Sequence, residues 1–502
     1  MLAAFFGLEK LLGFVRQVLI ARQFGLSAEL DAFNTANNLP DLLFALISGG
    51  ALGMAFIPVL SETIQKQDRK AAWDLFSRLA NLLFLGTALV SLFVAVFAGP
   101  LVRWRLGIAP GFESAQQDLV AELMRLNLIG TLLLSLAGMV IAGLQANQHF
   151  LLPAIAPAMY DVGTLFGVLI LSPETGYQIG PLQLPAFGLG VHGLVYGTIL
   201  GNALFLAVQI PGLARYGFRW TPAIDLRSPL VQRTIGLILP RVGTVFFIQL
   251  VFLATDNLAS RLPEGGPSAL VYGWLILQMP ETLIGTALGT ALLPTLSEQI
   301  ALGDAEAFAG AVRRAVRVII AITLPAAALI GLALPPLVGL LFDDPASVER
   351  VVWTARAFLL GLTGHTLLEV AVRAYYARQK AYMPLWAAAG MFAVFLLGAV
   401  ILAPRLDTPG IALANSLAFT LEALVLLWLL ERSYPGLLQV GAAPLRAGGG
   451  MLVGGLAAFF IGGLLPGGGL FMQLLLAAGG MAAGAALALP FIWPEMKLLF
   501  KL

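Results

Sequence analysis

Cysteine is absent from this chain and charge is scarce. With no Cys among 502 residues, disulfides, thiolate metal centres and thiol nucleophiles are excluded, and nothing marks a redox compartment. Asp, Glu, Lys and Arg make up 11% of the chain, against about 25% in soluble domains. Histidine is nearly as rare: His149, His192 and His365 are scattered without metal-ligand spacing and read as packing residues. A net charge of +2 with no basic tract offers nothing to nucleic acid. The Gly448-Gly-Gly450 and Gly467-Gly-Gly469 runs flank helix ends with no strand before them, so they read as turns rather than phosphate loops. The N-terminal stretch carries Lys10 and Arg16 inside its apolar run and lacks a small-residue cleavage pattern, so no cleavable signal peptide is expected.

What is present is apolar. Hydrophobic residues make up 59% of the chain, its mean hydropathy is +0.90, and its 55 glycines suit close helix packing in a bilayer. Taking about 20 apolar residues per crossing, candidate helices run near 1–20, 33–60, 80–102, 122–144, 151–172, 187–212, 232–258, 268–297, 314–342, 352–376, 384–403, 409–430, 447–465 and 470–492. The expectation is an all-α polytopic membrane protein of about fourteen transmembrane helices, with loops too short for a soluble domain.

The chain also repeats itself. Ala51-Leu-Gly-Met-Ala-Phe-Ile-Pro-Val-Leu-Ser-Glu-Thr-Ile64 returns as Ala287-Leu-Gly-Thr-Ala-Leu-Leu-Pro-Thr-Leu-Ser-Glu-Gln-Ile300, an offset of 287 − 51 = 236 residues. Ala146-x-Gln148 with Pro153 returns as Ala377-x-Gln379 with Pro384, an offset of 377 − 146 = 231. Two matches in one register imply duplication of a unit of about 230 residues. In so apolar a chain, duplication points to a transporter with its path between the halves. The expected organisation is two six-helix lobes, 1–215 and 216–435, followed by a helix pair at 436–502.

Lys and Arg set the orientation. Eighteen fall after even-numbered helices or in the tail: Lys66, Arg69, Lys70, Arg78, Arg215, Arg219, Arg227, Arg233, Arg313, Arg314, Arg317, Arg373, Arg378, Lys380, Arg432, Arg446, Lys497 and Lys501. The opposite loops hold six, Arg22, Arg103, Arg105, Arg261, Arg350 and Arg405, so both termini are expected in the cytoplasm.

Some charges fall inside the spans. The basic ones are Lys10, Arg16, Arg125, Arg241 and Arg356, and the acidic ones Asp31, Asp41, Asp161, Asp256, Glu369 and Glu422. A charge at the bilayer centre costs at least about 2.5–3.5 kcal/mol, so such residues usually face a wet cavity or a partner. Arg125 and Arg356 lie near helix ends and read as snorkelling to the headgroups, and Glu369 with Arg373 as a local i,i+4 pair. Asp41 follows Pro40 and suits a broken helix end. Arg16, with Glu9 its only nearby acid, reads as lining a functional cavity. Lys10 is six residues away, about 120° around the helix, and shares a broad cavity with it rather than a narrow stripe. Arg241 and Asp256 bracket the apolar run of the seventh helix, and for each a cavity role and a structural role stand equally.

Leu12-Gly-Phe-Val-Arg-Gln-Val-Leu-Ile-Ala-Arg-Gln-Phe-Gly25 resembles the opening signature of the MurJ/MviN family. Asp31-Ala-Phe, Leu39-Pro-Asp-Leu-Leu43 and Ala55-Phe-Ile-Pro-Val-Leu-Ser-Glu62 continue that likeness, and Leu253-Ala-Thr-Asp-Asn-Leu-Ala-Ser260 with Ala287–Ser297 extends it into the second half. The resemblance spans essentially the whole chain and is most specific at the N-terminus. Met1 falls several residues inside the family's usual start, which leaves the first helix short.

The family belongs to the multidrug/oligosaccharidyl-lipid/polysaccharide exporter superfamily, and its members flip the undecaprenyl-pyrophosphate-linked peptidoglycan precursor lipid II. The resemblance implies two lobes rocking around a cationic cavity in the bacterial cytoplasmic membrane, with the last two helices forming a groove for the polyprenyl tail. It implies membrane lipids as surroundings, a chain acting as a monomer, and no cofactor. Arg16 matches a family arginine and Lys10 a basic position, but the paired arginines of the second helix fall at Phe44 and Ala45 and the basic residue of the eighth at Leu275. The first-helix Arg-Asp pair is Arg16-Gln17. Asp256 matches an acid associated with sodium in some members, yet the eleventh-helix partners fall in Phe392–Ala399, which has no oxygen-bearing side chain, so no sodium site is expected.

The expected function is a lipid II flippase in peptidoglycan synthesis. Arg16, Lys10 and Arg241 would hold the diphosphate, with Asp31 among the substrate-site residues, and Asp256 and Asp41 would position cations or serve coupling. The alternatives are an exporter of another polyprenyl-linked saccharide or amphiphile, and a non-transporting scaffold of flippase descent. A glycosyltransferase is disfavoured by the short loops.

Overall fold

The computed structural model describes residues 2–47, 50–66, 69–225, 227–463 and 469–499. Among the described residues, each stretch expected to span is mainly helical. Cα packing divides the chain into two compact units, 1–264 and 265–502.

The first unit holds α1 (Leu2–Phe24), α2 (Ala28–Ile47), α3 (Gly50–Lys66), α4 (Arg69–Val96), α5 (Ala98–Arg103) and α6 (Ser114–Ala146). It continues with α7 (Leu151–Phe166), extended by a π turn at Gly167–Leu171, then α8 (Gly190–Ala207), α9 (Ile210–Arg215) and α10 (Pro229–Ala259). A two-residue hairpin, β1 (Gln178–Ile179) with β2 (Leu182–Gln183), joins α7 to α8 and is a small departure from the all-α expectation.

The second unit holds α11 (Gly266–Glu281), a π turn at Thr282–Thr286, α12 (Ala287–Ala301), α13 (Ala305–Val338), α14 (Pro345–Leu359) and α15 (Leu362–Ala377). It ends with α16 (Tyr382–Leu406), α17 (Thr408–Ser433), α18 (Ala443–Gly462) and α19 (Leu470–Leu499). Packing thus groups α10 with the first unit and the α18–α19 pair with the second, whereas the boundaries at 215 and 435 concern the repeats.

Eleven helices among the described residues are long and apolar enough to cross a membrane, or twelve if α14 and α15, bent by 42°, form one span. The count of fourteen is not reached. α1 and α2 are too rich in ionisable and amide side chains, and α3, at 17 residues, is too short.

The duplication reappears as packing. One core is built by Phe56 and Leu60 of α3, Trp73, Phe76 and Leu79 of α4, and Met139 and Leu144 of α6. The other uses the corresponding elements: Leu292 and Leu296 of α12, Phe308 and Val312 of α13, and Val370 and Tyr375 of α15. The short echo is structural too. Gln148 and Gln379 both sit at φ 57°. Each ends its helix in the same turn, His149 N donating to Leu144 O (2.9 Å) and Lys380 N to Tyr375 O (3.0 Å). A left-handed non-glycine residue costs about 1–2 kcal/mol, so retaining it twice marks a common origin of the turn.

In the second unit, Glu495 of α19 is fully buried and accepts from Arg317 of α13 (3.0 Å) and Arg446 of α18 (3.1 Å), binding the last helix pair to α13. The helices α13 and α14 begin at Asp304 and Asp344, whose side chains accept from the N–H groups of Ala307 (2.8 Å) and Ser347 (2.9 Å). These caps satisfy donors that a first helical turn leaves unpaired.

Candidate functional site

The platform for the site is the α7–α8 pair. Its backbones touch because glycines meet: a Cβ on Gly163 would lie 2.3 Å from Gly201 Cα. The helix α1 packs mainly on α7. There Gly13 lies beneath the Asp161 carboxylate, 3.8 Å from the position its own Cβ would take.

One turn beyond Gly13, Arg16 Nη1 donates to Asp161 Oδ1 at 2.7 Å and to Thr164 Oγ1 at 3.5 Å. Its guanidinium carbon lies 5.3 Å from the centre of the Tyr160 ring. The Arg16 side chain is 20% exposed and that of Asp161 4%. Lys10, by contrast, is 75% exposed and pairs with Glu9 at 3.4 Å. Both Lys10 and Glu9 lie within electrostatic reach of Asp161, and Asp41 lies within reach of Tyr160. Arg16, Lys10 and Asp41 are thus gathered around Tyr160 and Asp161.

A second polar group lies between α2, α6 and α10. Asn38 Nδ2 donates to Asp256 Oδ2 at 2.5 Å, and Asn127 Nδ2 to Asn37 Oδ1 at 2.6 Å. Asp31, two helical turns before Asn38 on α2, is buried and acts electrostatically on Asp256. Asp31 and Asp256 therefore belong together, in a group distinct from the Arg16 pair. The side chain of Arg241 lies outside the described residues.

The remaining membrane-depth charges are engaged locally. Arg125 Nε donates to Ala95 O (2.9 Å). Arg356 Nε donates to Gly331 O (2.9 Å), with its guanidinium over Trp353. Each thus binds a carbonyl of a neighbouring helix, which the reading as snorkelling residues did not anticipate. Glu369 and Arg373 form the expected i,i+4 pair. His365 is buried against Phe419, with Nε2 3.1 Å from Asn415 Oδ1.

Sequence reasoning missed Asp161 as the partner of Arg16, and Tyr160 and Thr164 beside it. It also passed over Asn37 and Asn38, although Asn34, Asn37 and Asn38 within one apolar helix were a visible signal. In the second unit, a cavity of about 390 Å³ is lined by Leu329, Leu332, Arg356, Phe459, Gln473 and Met481. It lies where α13 and α14 meet α18 and α19.

A duplicated, almost wholly helical chain with eleven or twelve candidate spans among the described residues is a polytopic membrane protein by architecture. Several solved structures share its fold. One described as "Lipid II flippase MurJ, inward closed conformation" matches with TM-score 0.79 and 20% identity over 99% of each chain. An inward-facing multidrug transporter of the MATE family, in the MOP superfamily, matches with TM-score 0.70 and 15% identity over 86% of this chain and 96% of that one.

The family model "Lipid II flippase MurJ" matches residues 20–461. The lipid II flippase MurJ of Burkholderia cenocepacia is 29% identical over 462 residues, covering 88% of this chain and 86% of the relative. A probable lipid II flippase MurJ of Rhizobium meliloti is 30% identical over 429 residues, covering 83% and 77%. The chain belongs to the MurJ family of lipid II flippases.

Proposed function

We propose that this chain flips lipid II, the undecaprenyl-pyrophosphate-linked peptidoglycan precursor, across the bacterial cytoplasmic membrane by alternating access. The observation that carries this reading is Arg16: a guanidinium set among apolar helices, aimed by Asp161 and Tyr160 and still partly exposed. A diphosphate needs such a donor out of bulk water, and an arginine fork offers it two parallel hydrogen bonds. Lys10, at the exposed end of the same group, adds a second cation. Arg241 completes the basic set in place of the arginines absent at Phe44, Ala45 and Leu275. The polyprenyl tail rests against α18 and α19, near the cavity they share with α13 and α14.

Asp31 and Asp256 serve coupling in this reading, and Asp41 positions the cations from α2. The repeats 1–215 and 216–435 are the rocking lobes, 436–502 travels with the second, both termini are cytoplasmic, and one chain suffices. No covalent chemistry is needed, since substrate binding has only to favour one state over the other by a few kcal/mol.

The test is complementation of a bacterium depleted of its essential lipid II flippase. The wild-type chain restores growth, and Arg16→Ala, expressed and inserted to the same level, does not. Rescue by Arg16→Ala would remove the site assignment. The thinned basic set favours one second reading, export of another polyprenyl-linked saccharide; failure of the well-inserted wild-type chain to rescue would turn the reading to that cargo or to a non-transporting scaffold.

A further inference from the structure

The charges gathered around Asp161 and Tyr160 leave no net positive charge. Arg16 and Lys10 are positive, while Asp161, Glu9 and Asp41 are acids, with Arg16, Lys10 and Glu9 in electrostatic reach of Asp161 and Asp41 in reach of Tyr160. The cationic capacity of the site is therefore already spent inside the protein. A diphosphate brings at least two more negative charges and must draw Arg16 away from its carboxylate.

The geometry suits such an exchange. Asp161 sits on a helix that cannot retreat, because α7 is pressed backbone to backbone on α8 at Gly163 and Gly201. Arg16 directs Nη1 at both Asp161 and Thr164, while among the described residues Nε and Nη2 have no hydrogen-bond partner. The free edge of the guanidinium can receive a phosphate before Nη1 lets go. Asp161 also gives Arg16 a carboxylate where Gln17 stands in place of the acid that the family resemblance puts there.

We infer that Asp161 is an internal stand-in for the substrate's diphosphate: it holds Arg16 in the empty transporter, yields it when substrate binds, and reclaims it on release. The inference rests on the reading of Arg16 as the diphosphate ligand. Its consequence is kinetic as well as energetic. An empty carrier must return across the membrane, and a guanidinium without a counter-charge is costly at that depth. Asp161 removes that cost on the return and competes with product on release. Asp161 is in this sense a positioning residue, acting through Arg16.

The experiment uses the full chain in nanodiscs and proteoliposomes. Affinity is measured for undecaprenyl diphosphate, with undecaprenol as the uncharged control, and turnover with lipid II. Asp161→Asn is expected to bind undecaprenyl diphosphate about tenfold more tightly and to turn over about tenfold more slowly, since an interaction equal in the bound and releasing states only slows release. Affinity and turnover falling together would mean a merely structural role and overturn the inference, as would unchanged affinity. Arg16→Gln is expected to lose the preference for the diphosphate over undecaprenol. Retention of that preference would overturn the diphosphate site itself, separately from the exchange.

A readout on the wild-type protein remains if Asp161→Asn does not fold. Dicyclohexylcarbodiimide is expected to modify Asp161 faster in the presence of undecaprenyl diphosphate than with undecaprenol. Slower or unchanged modification would overturn the exchange.

Discussion

Asp256 illustrates what a single buried carboxylate demands. It is 5% exposed, accepts from Asn38, feels Asp31, and among the described residues has no basic partner. Arg241 starts 256 − 241 = 15 residues earlier on the same helix, roughly 22 Å along its axis. An unpaired buried charge costs several kcal/mol. Asp256→Asn keeps an acceptor for Asn38 and removes the charge, so it is expected to stabilise the protein, read as a rise in Tm. If Asp256 serves coupling, the same variant loses transport in the growth assay. Lower stability with transport retained would contradict both. At this scale the sequence was partly legible. Arg16 stood out because an arginine in an apolar helix needs a reason, but its partner lies 145 residues away and no local spacing links the two. The amides of α2 were visible, and what hid their role was that their partners sit on other helices.

Among the elements, the break between α14 and α15 has a local physical cause. A helix that ends inside a membrane leaves carbonyls that lipid cannot satisfy. Here Ser416 of α17 supplies the donor: its hydroxyl bonds Ala357 O (2.8 Å) and Phe358 O (3.1 Å). Gly361 sits directly against it, with a Cβ there falling 2.6 Å from Ser416 Oγ. Ser416→Ala should cost about 1–3 kcal/mol by orphaning Ala357 O, while Phe358 O keeps the Gly361 N–H (2.9 Å). Gly361→Ala should cost a similar or larger amount through overpacking, typically about 1–3 kcal/mol. Thermal unfolding of the two variants tests this, and a Ser416→Ala protein as stable as wild type would remove the capping role. Helix existence was readable from hydropathy throughout, but this bend was not. The stretch 352–376 reads as one candidate span despite its scattered charges, and the serine at its break lies some 55 residues downstream.

For the whole molecule, duplication was the most legible property, because short identical runs at offsets of 236 and 231 residues survive as the same helices and the same left-handed turn. The number of crossings was less so, since the first two helices carry the polar side chains of the site, and function there overrides the apolar signal that marks a span. Orientation is a further whole-chain property, and the absence of cysteine gives it a direct test, because any introduced thiol is the sole one in the protein. In the proposed orientation, drawn from the positive-inside bias, the α7–α8 hairpin is expected outside and the segment between α9 and α10 in the cytoplasm. Gln183 on the hairpin and Arg219 on that segment are both exposed, so neither thiol is shielded by packing. A membrane-impermeant maleimide applied to intact spheroplasts is expected to label Gln183→Cys and to spare Arg219→Cys until the membrane is permeabilised. The opposite pattern would invert the chain, placing Arg16 and its neighbours on the other face and reversing the direction in which Asp161 must hand its arginine to the diphosphate.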